Sequence, residues 1–262
     1  MSQVGALVRD WRTRRRLSQA DLADQAEVST RHLSCIERGR AHPSREMVLV
    51  LASALDVPLR ERNTLLQAAG FAPAYRETDL GDPQMAQVRQ ALDLVLAGHE
   101  PYAAVVVDRT WDVVRTNAPW RLLAAQILGR TDGPPNLLRA IFDPDGLRPH
   151  LVNWEEVARA TLQRLRREAT VEGDEALLAL YHELRGRAPD HVLRDEASAP
   201  PPLLIPVRLR VGDTVLSLFT TLTTLGTPTD VTLSELRIEQ YFPADAATAA
   251  WVRDTVAPLL GR

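Results

Sequence analysis

The sequence predicts two fold classes in one chain of 262 residues: an all-α domain of five helices, followed by an α+β domain that packs helices on an antiparallel sheet. In the first part, apolar residues recur at helical spacing and each run follows a capping residue. From Pro101 onward, short apolar runs separated by turns indicate strands interleaved with helices. The boundaries expected from these patterns are residues 1–72 for the first domain, 73–100 for a linker and connecting helix, and 101–262 for the second domain.

Composition excludes several classes of protein. Hydrophobic residues make up 45% of the chain and charged residues 25%, which is typical of a globular protein. No apolar run approaches the roughly twenty residues of a membrane helix. The single cysteine, Cys35, cannot form a disulfide within the chain. We therefore expect a cytoplasmic protein that has no membrane partner.

The charges are divided unevenly between the two predicted domains. Residues 1–72 contain 11 arginines and 8 acidic residues, a net charge of +3, whereas residues 73–262 contain 20 arginines and 26 acidic residues, a net charge of −6. A basic N-terminal domain is compatible with nucleic-acid binding but does not establish it.

Capping residues mark the expected helices of the first domain. Ser18, with Asp21 three residues later, forms a variant of the capping box, and Ser29 begins helix three. Gly39 follows that helix, where a left-handed residue is expected. The other helices are expected over residues 3–15, after Ser44 and after Pro58.

Helices two and three have the length and the short connection of a helix-turn-helix. The small residues Ala23 and Ala26 allow two helix backbones to approach closely. The outward face of helix three carries no carboxylate, and Arg31 on that face can donate to guanine O6 and N7 in a major groove. Gln19, at the start of helix two, suits a phosphate.

These motifs, read in order, closely resemble the Xre family, the lambda-repressor/Cro type of helix-turn-helix, over about residues 3–71. The resemblance implies that helix three contacts bases, that neighbouring residues contact phosphates, and that an ion pair supports the helix. Glu27 departs from the family, because this turn often holds glycine. The base contacts are expected from Thr30, Arg31, Ser34 and Cys35, the phosphate contacts from Gln19, Arg38, Arg40 and Ser44, and the ion pair from Arg12 and Glu37.

Interpretations without a DNA-binding role remain open for some of these residues. Arg38 and Arg40 can be solvated charges, and Cys35 can be an inert thiol. The run at residues 14–16 either contacts a backbone or only solubilises the end of helix one.

In the second half, strands are expected at residues 102–107 and 111–115, followed by a helix that Asn117 caps. Asn153 and Glu156 are expected to form a capping box, and Asp245 to cap the final helix. Further strands are expected at residues 203–211, 215–224 and 232–242, with a hairpin turn at Gly212 and Asp213.

This order of landmarks resembles the MmyB-like ligand-binding domain, a PAS-like module found behind Xre helix-turn-helix domains. The best-matched part is residues 101–160, with the segments at residues 108–113, 136–139 and 154–159. The resemblance implies a transcription regulator with an apolar pocket between sheet and helices, and a fatty-acid-like or otherwise hydrophobic ligand. The aromatic residues expected in the pocket, which can equally be core residues, are Trp111, Trp120, Phe142, Trp154 and Phe219.

Catalysis is the competing class of function. The sequence contains no G-x-S-x-G, H-E-x-x-H or P-loop motif, and its histidines lack the spacing of metal ligands on one turn. We therefore expect no enzyme, no cofactor and no metal site.

The favoured hypothesis is a homodimeric, sequence-specific regulator that binds a palindromic operator in double-stranded DNA and senses a hydrophobic small molecule. Dimerisation is expected because one such motif makes few contacts. In the alternative, the C-terminal domain is a protein-interaction or dimerisation module that takes no ligand.

Overall fold

A computed structural model describes residues 2–129, 133–194 and 204–260. The chain forms two compact units. The first contains residues 1–78 together with residues 168–174 and 227–234, and the second contains residues 79–167, 175–226 and 235–262. Among the described residues, no helix is long and apolar enough to cross a membrane.

The first unit is built on five helices, as the sequence predicts. Their starts are fixed locally: the Oγ atoms of Ser18, Ser29 and Ser44 accept hydrogen bonds from backbone N–H groups three residues later, and Ser18 completes the capping box with Asp21. The helices are α1 (Gln3–Arg14), α2 (Gln19–Gln25), α3 (Thr30–Glu37), α4 (Arg45–Ala54) and α5 (Leu59–Ala68).

The turn between α2 and α3 places Glu27 in the left-handed region, with φ of 53°. Gly39, after α3, has φ of 71°, as expected for a left-handed residue at a helix end. The core beneath the turn is apolar, and Leu22, Leu33 and Ile36 are fully buried in it. The small residues Ala23 and Ala26 are buried beside them, which allows the two helices to cross closely.

Arg15 links α1 to two other backbone segments of the first unit. Its guanidinium donates to the carbonyl oxygens of Leu55 at 2.8 Å, Asp56 at 2.7 Å and Val171 at 2.9 Å. Within the run at residues 14–16, Arg15 is therefore engaged by the protein's own backbone, and a contact of this run with a DNA backbone stays a prediction.

The second unit contains an antiparallel sheet with strand order β2-β1-β5-β4-β3. Its strands are β1 (Ala104–Val107), β2 (Val113–Thr116), β3 (Val207–Val211), β4 (Thr214–Thr223) and β5 (Arg237–Pro243). The helices outside α1–α5 are α6 (Ala86–Gly98), α7 (Ala118–Leu128), α8 (Leu137–Phe142), α9 (Trp154–Glu172), α10 (Glu175–Arg187), α11 (Asp190–Arg194), α12 (Val231–Glu235), α13 (Ala246–Trp251) and α14 (Ala257–Leu260). Residues 168–172 of α9 and most of α12 belong to the first unit.

Two expectations for the second half need correction. Trp111 is not in a strand: it lies in a turn with φ of 67°, held by hydrogen bonds from the backbone N–H groups of Thr110 and Asp112 to Asp108 Oδ1. Residues 232–235 belong to α12, and β5 begins only at Arg237. Asn153 and Glu156, the pair expected at the start of α9, are joined by a hydrogen bond from Asn153 Nδ2 to Glu156 Oε2 at 2.9 Å. Asn153 Oδ1 also accepts a hydrogen bond from the backbone N–H of Arg208, so this side chain ties the start of α9 to β3. Residue 203 of the expected strand lies outside the described residues.

Strand register decides which side chains share a face of the sheet. Leu218 and Thr220 of β4 lie on the same face as Glu239 and Tyr241 of β5, because successive side chains alternate across a strand. Phe219 and Phe242 lie on the opposite face, where their rings stack at 5.1 Å.

Candidate DNA-binding surface and ligand cavity

The outer face of α3 presents polar side chains free of negative charge. Thr30, Arg31 and His32 are exposed, and Ser34 and Cys35 are half-buried. The one acidic residue of α3, Glu37, is only 2% exposed and turns inward. A phosphate backbone approaching this face meets no exposed carboxylate on the helix, which suits a nucleic-acid interface.

Glu37 joins the first three helices through hydrogen bonds. Arg12 Nε and Nη2 donate to its two carboxylate oxygens at 2.7 and 3.1 Å, and Gln19 Nε2 donates to Oε2 at 2.6 Å. Arg12 also donates to the carbonyl oxygen of Leu17 at 2.7 Å, at the start of the motif. The network therefore fixes the orientation of α3 on α1 and α2.

The residues predicted to contact phosphate lie around this helix. They differ in how many of their hydrogen-bond donors are already used within the protein. Gln19 has one amide N–H engaged by Glu37, which leaves the second for a phosphate. Arg38 is exposed and donates one hydrogen bond through Nε to the carbonyl oxygen of Ser34, while Arg40 is exposed just beyond Gly39. Ser44 accepts at the start of α4, and its hydroxyl also hydrogen-bonds to the Glu46 carboxylate. All four contacts remain predictions.

Sequence reasoning missed His32, which stands next to Arg31 on the exposed face. The signal that could have identified His32 as a surface residue is its position directly after Arg31, in the exposed first turn of α3.

A cavity of about 200 Å³ lies inside the second unit, between the sheet and the helices α7, α8 and α9. It is larger than the cavity of roughly 150 Å³ that accepts benzene in another protein. Most of its wall is aliphatic: Leu123, Ala124, Ile127, Leu137, Leu138, Ile141, Val157, Ala160, Val207, Leu209 and Leu218 contribute to it. Such a wall is typical of a site for a hydrophobic ligand.

Polar side chains are gathered in one part of the wall. Glu239 is 6% exposed, and its Oε2 accepts a hydrogen bond from the Tyr241 hydroxyl at 3.1 Å. Burial raises the pKa of the Glu239 carboxyl, and this outweighs the opposing effects of the Arg164 guanidinium and of hydrogen bonds from Tyr241 and Thr220. Burial and the adjacent Glu239 also raise the pKa of Tyr241.

Of the five aromatic residues predicted for the pocket, only Trp120 lines this cavity. Trp111 is fully buried in its turn, beneath the guanidinium of Arg164 at 4.3 Å. Phe142 and Trp154 pack on each other at 6.0 Å, and Phe219 lies on the far face of the sheet. Trp111, Phe142 and Trp154 are buried core residues outside the cavity wall, and Phe219 is half-buried on the other face of the sheet.

Comparison with known families places a match on each part of the chain. Residues 3–65 match the model of a helix-turn-helix domain. Residues 88–254, more than half of the chain, match the model described as the MmyB-like transcription regulator ligand binding domain. A search of curated proteins gives no match.

Proposed function

Because the chain belongs to the family of transcription regulators with an MmyB-like ligand-binding domain, we propose that it binds specific DNA sequences through α3 and regulates that binding through a hydrophobic small molecule held in the cavity. The observation that carries the DNA-binding half is the carboxylate-free outer face of α3, braced by Glu37. The cavity beside the sheet carries the ligand-binding half.

In this proposal, Arg31 reads a guanine, with Thr30, Ser34 and Cys35 at neighbouring base edges. Gln19, Arg38, Arg40 and Ser44 hold the flanking phosphates, and these contacts set the register of the helix on the duplex. A homodimer places two such helices on a palindrome, because the operator then mirrors the two-fold symmetry of the protein.

The ligand acts on DNA binding only if it favours one arrangement of the protein over another, since tight binding alone shifts no equilibrium. Helix α9 is suited to this role. Val157, Thr161 and Arg164 of α9 line the cavity, and Val171 near its end accepts the hydrogen bond from Arg15 in the first unit. We propose that α9, whose residues 168–172 belong to the first unit, carries the effect of the ligand.

An apolar body such as that of a fatty-acid-like molecule suits the aliphatic wall. The cavity favours this function over a C-terminal module that only binds proteins, because a protein-docking module does not need interior space.

Native mass spectrometry of the purified protein, followed by DNA titration before and after removal of any bound small molecule, tests the proposal. We expect a hydrophobic compound to co-purify and its removal to change the affinity for the operator. Purified protein that holds no compound, and whose DNA affinity responds to no amphiphile, would contradict the sensing half.

A further inference from the structure

The close contact between α1 and the end of α3 depends on a glycine. Gly5 is buried in the first turn of α1. A Cβ atom added to Gly5 would lie 2.3 Å from the backbone oxygen of Ile36 and 3.0 Å from that of Glu37. Real Cβ atoms essentially never come closer than 3.0 Å to a heavy atom of this kind. The two helix backbones therefore meet at a distance that only glycine allows.

No side chain can rotate away to make room at this point. The two oxygens belong to the backbone of α3, and Ile36 is fully buried. The Ile36 oxygen also accepts a hydrogen bond of 2.9 Å from the backbone N–H of Gly39, which holds it at the helix end. A methyl group on residue 5 would therefore have to separate α1 from the end of α3 by at least about 0.7 Å.

A second contact with the same end of α3 lies two helical turns further along α1. Arg12 follows Gly5 by seven residues, which is about 10 Å along the helix axis and nearly the same face. The Arg12 guanidinium donates to both carboxylate oxygens of Glu37. Helix α1 thus contacts the end of α3 at two separate points, one through bare backbone and one through an ion pair.

A separation of the two helices displaces α3 more readily than α1. Helix α1 has twelve residues and buries the side chains of Val4, Val8 and Trp11. Helix α3 has eight residues, and its buried apolar side chains are those of Leu33 and Ile36. The shorter helix has fewer buried side chains to hold it in place, so it takes up the shift.

We propose that Gly5 is a positioning residue for DNA recognition, because its missing side chain lets α1 fix the place of α3 and of its residues Thr30 and Arg31. Binding groups have to be held within about 0.5 Å of their productive geometry, which is less than the shift that a methyl group at residue 5 requires. This inference rests on the proposed function, because the position of α3 matters only if α3 reads DNA.

Fluorescence anisotropy with the full chain tests the inference. The two probes are the duplex that the parent protein enriches most from random DNA, and a random duplex of the same length. We expect Gly5→Ala to weaken binding to the enriched duplex at least tenfold. Binding to the random duplex should change less than twofold, since it depends on phosphate charge and not on base contacts.

Gly98→Ala is the matched control. It makes the same substitution at the last residue of α6, where an added Cβ would meet nothing within 4 Å. We expect it to change neither affinity.

The ratio of the two affinities separates positioning from stability. A variant that is unstable but correctly arranged loses the same factor for both duplexes, because only its folded fraction binds. If Gly5→Ala is largely unfolded, trimethylamine N-oxide is added until its circular dichroism matches that of the parent, and the ratio is then measured.

Selection from random DNA with Gly5→Ala supplies a second readout. A misplaced helix should weaken the preference at several positions of each half-site together. Arg31→Ala, which removes a single base contact, should relax only one position.

The outcomes separate this inference from the proposed function. An unchanged affinity ratio in Gly5→Ala, or a preference lost at one position only, would overturn the inference and leave DNA reading by α3 in place. A variant that does not refold with the osmolyte would also overturn it, since Gly5 would then be required for folding itself. A parent protein that enriches no duplex would overturn the inference together with the DNA-binding half of the proposed function.

Discussion

The Tyr241 hydroxyl donates a hydrogen bond of 3.1 Å to Glu239 Oε2 on a face of the sheet that is otherwise largely aliphatic. Burial is the largest influence on Glu239 and raises its pKa above the ordinary value of 4.5. The folded protein therefore binds this proton more tightly than the unfolded chain does. The stability contributed by the proton is fully present below the unfolded pKa and is lost as the pH rises through the folded pKa.

This relationship predicts that Glu239→Gln stabilises the ligand-free protein at neutral pH. Glutamine stays uncharged, so the gain in the free energy of unfolding should be largest near pH 7 and should shrink toward pH 4. Urea unfolding of both proteins across that range measures the difference. A variant that is less stable than the parent at pH 7 would show that Arg164, Tyr241 and Thr220 compensate the buried charge fully.

Removing Glu37 should destabilise the first unit strongly. Glu37→Ala leaves the guanidinium of Arg12, which is 14% exposed, without its carboxylate partner. Breaking a buried ion pair from one side costs about 3–5 kcal/mol. Asp10→Ala is the matched control, since Asp10 is 56% exposed in its pair with Arg14 and should contribute less than about 1 kcal/mol. Equal losses in urea unfolding for the two variants would refute the bracing role of Glu37.

The turn between α2 and α3 stores backbone strain at Glu27. A non-glycine residue in the left-handed region costs roughly 1–2 kcal/mol, part of which glycine loses again through its greater freedom in the unfolded chain. We expect Glu27→Gly to raise the free energy of unfolding by about 0.5–1 kcal/mol. Gln25→Gly, at the last helical residue of α2, should lower it instead. Thermal unfolding that shows a loss for Glu27→Gly would contradict the strained turn.

Phosphate contacts make DNA affinity depend steeply on salt, because bound counterions are released. Replacing Arg40 with alanine should weaken binding to all sequences about equally and lower the slope of log affinity against log salt by about 1. Fluorescence anisotropy on specific and random duplexes at several salt concentrations measures both effects. Arg9→Ala, an exposed arginine of α1, serves as the control, and an Arg40 slope identical to that of the control would remove Arg40 from the interface.

Local signals made the first unit predictable. Ser18, Ser29 and Ser44 cap helices through hydrogen bonds to residues only three positions away. Gly39 occupies a position whose positive φ favours glycine. Each of these features depends only on residues that are close together in the sequence. The start of helix α7 at Asn117 was predictable for the same reason.

The cavity was less predictable, because its wall depends on pairings between distant strands. Phe219 and Thr220 are neighbours in sequence, yet only the register of β4 against β5 shows that Thr220 faces the cavity and Phe219 does not. Sequence reasoning missed Glu239 altogether. The available signal was its spacing of two from Tyr241 in a strand, which places both on one face.

Selection of bound sequences from random duplex DNA, with the parent protein and with Arg31→Ala, tests the central claim most directly. The account predicts that the parent enriches an inverted repeat whose half-sites are centred about 10 base pairs, or a multiple of that, apart. Arg31→Ala should relax one position in each half-site, equivalent to about 1–3 kcal/mol at that base pair. No enriched sequence with the parent, or the same preferences with the variant, would contradict the assignment of α3 as the helix that reads DNA.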